Sequence, residues 1–98
     1  MKHHYYPFKL GEQYEKWEFD LEIINEEFIE GCDSYIYLRK LYLFDKKAEH
    51  VEMIFSMDIL TAVYIKFDPI IFKTLINKRE IINNYQFDIA KNILFYKR

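Results

Sequence analysis

Between Val51 and Phe67 the odd positions are Val51, Met53, Phe55, Met57, Ile59, Thr61, Val63, Ile65 and Phe67, all apolar except Thr61. Alternation with a period of two is the mark of a β-strand with one buried face. As one straight strand the stretch would reach roughly 55 Å. A chain of 98 residues folds to a radius of gyration of about 13 Å, so such a strand overhangs its own domain. The chain must turn back on itself. A single bulge or a two-residue hairpin loop shifts the inward phase by one, and the pattern shows no shift. It predicts a smoothly coiled strand or a three-residue loop near Ser56, Met57 and Asp58. A helix over Lys46 to Ser56 competes, because Ala48, Val51 and Phe55 share a helical face.

Other segments supply the partners for such a strand. From Lys16 to Ile23, Trp17, Phe19, Leu21 and Ile23 alternate with Lys16, Glu18, Asp20 and Glu22. That predicts a half-buried strand, apolar inward and acidic outward. Asn25 to Asp33 reads as a connection turning at Gly31. Tyr35 to Phe44 is nearly all apolar or aromatic, which suits a central strand covered on both faces, and Asp45 to Glu49 suits a hairpin loop. Asp68-Pro69 starts a helix, with Asp as N-cap and Pro at the position whose N–H has no partner anyway. Ile71, Leu75 and Ile82, joined by Phe72 and Ile76, extend it to about Ile82. Beyond Asn83 and Asn84 two readings stay open: a continued helix through Tyr85, Ile89, Ile93 and Tyr96, or a last hairpin turning at Lys91-Asn92. Together these elements predict an α+β fold, an antiparallel sheet of three to five strands with one C-terminal helix packed on one face. The expected organisation is a single domain, residues 1–98.

The composition suits such a core: 51% of residues are apolar and 31% charged, with only two Gly and two Pro. That mix excludes a disordered chain and a loop-rich, disulfide-tied scaffold. Cys32 is the single cysteine, which favours a reducing compartment. No apolar signal segment precedes Phe8, and the longest uncharged run, Ile59 to Ile65, is far short of the roughly 20 residues that span a bilayer. The cytoplasm is the expected compartment, with no membrane contact.

The net charge of −2 conceals an uneven distribution. Residues 1–33 hold three lysines against nine acids, residues 34–68 balance at five each, and residues 69–98 hold six bases against Glu80 and Asp88. The acidic third proposes Glu18, Asp20, Glu22, Glu26 and Glu27 as a row that steers a basic protein partner. Tyr35 and Tyr37 join that candidate site, since tyrosine is enriched in interface hot spots. The basic third offers nucleic acid a weaker footing, with Tyr85, Phe87 and Tyr96 as stacking groups; six dispersed bases and a pI near 5.9 make it unlike a nucleic-acid domain.

No chemistry announces itself. His50-Val51-Glu52 matches half of a zinc deaminase signature, without the Pro-Cys-x-x-Cys that would complete it. Glycine-rich phosphate loops and helical His pairs are absent from the sequence, so neither a cofactor nor a catalytic residue is assigned. The expectation is a non-enzymatic interaction protein that binds and blocks a macromolecular partner, as a small inhibitor, immunity protein or phage-encoded antagonist does. The alternatives are a nucleic-acid-binding accessory protein and a structural homodimer paired through a sheet edge.

Overall fold

The computed structural model describes residues 6–24 and 31–98. In chain order its elements are β1 (Leu21–Ile24), β2 (Cys32–Tyr37), β3 (Tyr42–Leu43), β4 (Lys46–Lys47), β5 (His50–Ser56), β6 (Ile59–Lys66), α1 (Pro69–Leu75), α2 (Arg79–Asn84), β7 (Gln86–Asp88) and β8 (Ile93–Lys97). Six strands form one antiparallel sheet in the order β1-β2-β5-β6-β8-β7, and β3 pairs with β4 in a small separate ribbon. The expected α+β fold of three to five strands and one C-terminal helix is therefore corrected. The protein is mostly sheet, with one helix of seven residues, α1.

The long alternating stretch resolves as the β5–β6 hairpin. Its turn is Met57-Asp58, a two-residue loop, and a bulge follows where the register shifts beyond Ile54/Phe55. Either device alone would flip the inward phase; together they cancel. Val51, Met53 and Phe55 consequently share a face with Leu60, Val63 and Ile65. Thr61, the one polar odd position, sits at the bulge and its hydroxyl donates to the Ile54 carbonyl at 3.1 Å.

Helix α1 starts as the sequence predicts. The Asp68 carboxylate accepts from the Ile70 and Ile71 N–H groups at 2.9 and 3.4 Å, with Pro69 in the first turn. The helix stops at Leu75, however, and Lys78 is extended before α2 begins. An unbroken helix would carry the face of Phe72 and Leu75 on to Arg79 and Ile82. The break swings Ile81 into the core instead and leaves Ile82 exposed. Residues 85–97 adopt the hairpin reading, and residues 46–56 the strand reading.

One core lies on one side of the sheet. Phe8 and Trp17 from the first segment, Leu43 and Ala48 from the ribbon region, and Phe72, Leu75 and Ile81 from the helices all join the cluster built on Phe55, Val63, Ile65 and Leu94. Gly11, at φ +93°, turns the first segment so that its main chain bonds along the hairpin, Gly11 N–H to the Leu60 carbonyl and Tyr14 N–H to the Asp58 carbonyl.

The hairpin turn carries a local conflict. Met57 and Asp58 both sit in the left-handed region, at φ 50° and 65°. Asn-Gly is the sequence such a turn favours, and a side chain with a Cβ costs about 1–2 kcal/mol there. Met57 buries almost nothing in exchange, being 91% exposed. Replacing the pair by Met57→Asn and Asp58→Gly should therefore stabilise the fold by about 1 kcal/mol, raising Tm by about 4–8 °C in a thermal melt.

Candidate functional site

The segment read as an acidic strand begins differently. Tyr14–Lys16 and Glu18–Asp20 are two consecutive 3-10 turns, and only Leu21–Ile24 is strand. A 3-10 turn repeats every three residues rather than every two. Trp17 therefore turns inward, edge-on to Phe8 with ring centroids 5.6 Å apart, while Phe19, two residues on, is 91% exposed. The predicted single row of acids is not formed. Asp20 pairs with Arg39 at 2.5 Å, Glu18 is exposed on its turn, and Glu22 is exposed on β1 opposite Ile36. Glu26 and Glu27 lie outside the described residues.

Tyr35 and Tyr37 project from β2 onto the core side and are half-buried there. Tyr35 packs against Tyr14 and Phe55, and Tyr37 against Phe8, all with centroids within 5.5 Å. Burial raises both phenols above their ordinary range, helped at Tyr35 by Tyr14, Asp33 and Asp58 and at Tyr37 by the Asp20 carboxylate, with Arg39 opposing. Both rings are spent on packing. Tyr85 and Tyr96 are buried too, and Phe87 is half-buried, so the basic third does not present them as stacking groups.

The surface that emerges is the corner where the 3-10 turns meet the end of β2. The Leu38 N–H donates to the Asp20 carbonyl at 2.8 Å, tying the two segments together. Phe19, Leu38, Asp20 and Arg39 line one shallow depression of about 650 Å³. Leu38 is 58% exposed. Two large apolar side chains thus stand in water beside an ion pair and the first strand of the sheet. The sequence conceals this because Glu18-Phe19-Asp20 alternates as well on a turn as on a strand.

A second concavity, about 910 Å³, lies on the sheet face turned away from the core. Ile54, Tyr64, Ile93 and Phe95 form its floor, and the Tyr64 and Phe95 rings stack at 5.1 Å. His50 Nε2 stands 3.1 Å from the Glu52 carboxylate within it. Lys66 and Lys91 line it together with Glu49, Glu52 and Asp88, a balance that suits no polyanion.

Among the described residues no group of three or more His, Cys, Asp or Glu side chains is arranged to hold a metal ion, and no helix is long and apolar enough to cross a membrane. No family model, curated protein or solved structure matches the chain.

Proposed function

We propose that the chain is a non-enzymatic interaction protein that binds and blocks a macromolecular partner, in the manner of a small inhibitor, an immunity protein or a phage-encoded antagonist. One observation carries the reading: Phe19 and Leu38 stand exposed together at one corner of the sheet. Scattered apolar residues on a surface mean little, but a large aromatic and an aliphatic side chain sharing one depression are what a partner's pocket covers. Burying each would contribute about 1.5–3 kcal/mol to association. The Asp20–Arg39 pair beside them supplies a polar rim.

Affinity capture from the source cells tests the reading. The unaltered chain is expected to retain a partner, and Phe19→Asp with Leu38→Asp to lose it by at least about thirtyfold, as at an interface hot spot. Both substituted positions are exposed, so circular dichroism should show the fold intact. A double variant that captures the partner as well as the unaltered chain, or an unaltered chain that captures none, overturns the proposal.

A further inference from the structure

The outer edge of β1 is unpaired among the described residues: β1 ends the sheet, and its one neighbour is β2. The register tells which main-chain groups point outward. Residues directly opposite in an antiparallel pair alternate between exchanging both hydrogen bonds and exchanging none. The Leu38 N–H to Asp20 carbonyl bond continues the β1–β2 register, which pairs Leu21 with Tyr37 and Glu22 with Ile36. Glu22 and Ile24 therefore turn their main-chain groups toward β2, and Leu21 and Ile23 turn theirs to solvent. Side chains alternate along the same strand: Leu21 and Ile23 lie on the core side, with Ile23 56% exposed at the edge, and Glu22 lies on the other face.

Such an edge is a template for one more strand. Resting on the interaction reading above, we infer that β1 receives an extended segment of a protein partner whose residues alternate apolar and basic. Apolar side chains of that segment would extend the surface of Leu21 and Ile23 on the core side, while its other face would run toward Leu38, which the register places with Glu22 on the opposite side of the sheet. On the opposite face a lysine or arginine would stand beside Glu22, with Glu18 near the strand's start. Among the described residues neither glutamate is in an ion pair, whereas Asp20 and Glu12 are already matched by Arg39 and Lys16. Charge also disfavours a second copy as the occupant. Two β1 edges meeting about a two-fold axis would bring the same unmatched glutamates together.

The test uses a short synthetic peptide of alternating lysine and valine, acetylated and amidated, titrated into the full chain while amide exchange is followed by NMR. The Leu21 and Ile23 amides are expected to exchange at least about tenfold more slowly with peptide bound, with shifts centred on β1, Phe19 and Leu38. The same peptide with glutamate for lysine, or N-methylated along its main chain, is expected to leave them unchanged, and Glu22→Lys to weaken binding about tenfold. Equal protection by the glutamate or the N-methylated peptide overturns the inference, as does protection of Leu21 and Ile23 that rises with protein concentration alone. Absence of any effect at β1 overturns it too. That result would leave the interaction reading standing if Phe19→Asp with Leu38→Asp still lost the captured partner.

Discussion

Replacing Phe55 with alanine is expected to lower the unfolding free energy by about 3–5 kcal/mol. Phe55 is buried at the centre of the core face and edge-on to both Tyr14 and Tyr35, with Trp17 tilted against it 6.1 Å away. Truncation removes the ring's burial and opens a space that its aromatic neighbours, held on the first segment and on β2, cannot close together. Urea unfolding of the variant and of Phe19→Ala makes the comparison internal. Phe19 stands in water, so its truncation should change stability by no more than about 0.5 kcal/mol. Equal costs for the two phenylalanines would mean that the sides of the first segment had been assigned the wrong way round.

Tyr96→Phe should cost about 1–3 kcal/mol although it removes a single oxygen. The buried Tyr96 hydroxyl accepts from the Phe8 N–H at 3.0 Å and donates to the Phe8 carbonyl at 2.6 Å. Without it both main-chain groups of Phe8 lose the hydroxyl as partner at a buried site. The same phenol makes stability fall in alkali. Burial pushes Tyr96 and its neighbour Tyr85 far above the ordinary phenol range, the Phe8 bond lowering Tyr96 only in part and the other tyrosines of the cluster adding to the rise. In the unfolded chain these phenols ionise near the ordinary tyrosine value of 10.0. Below that pH their contribution to stability is fully present. Above it the unfolded state releases protons that the folded state keeps, and each group withdraws up to about 1.4 kcal/mol per pH unit. Tyr96→Phe deletes one of the two, so the gap between variant and unaltered chain should narrow between pH 9 and pH 11. Urea midpoints that stay parallel over that range would contradict the assignment.

Much of this architecture is legible in the residues, for reasons that differ by element. Asp68-Pro69 marks the start of α1 because both residues act locally, one through its carboxylate and one through its ring. The helix end is not legible: Asn77 and Lys78 break it only because Ile81 has a place in the core, and that place belongs to the tertiary fold. The phase of β5 and β6 reads correctly while the device behind it does not, since a two-residue turn and a bulge together leave the same parity as no device at all. At the candidate site the failure is sharper. Phe19 reads as buried and is exposed, because a period of two cannot be told from a period of three over so few residues. The proposed contact surface is legible in the sequence only as an acidic excess. The apolar corner beside it depends on Leu38 being tied to Asp20, a contact between segments that periodicity does not encode.

The sheet order has a consequence for biosynthesis. Strand β8 is the last to leave the ribosome among the described strands, yet it stands inside the sheet, with β6 on one side and β7 on the other. Until it arrives, the nascent chain carries β6 with one flank unsatisfied, and Leu60, Val63 and Ile65 await the Leu94 and Tyr96 side chains that help to bury them. Translation stalled before Ile93 would therefore leave a sticky half-sheet exposed to its neighbours, the state in which holdase chaperones and proteases intervene.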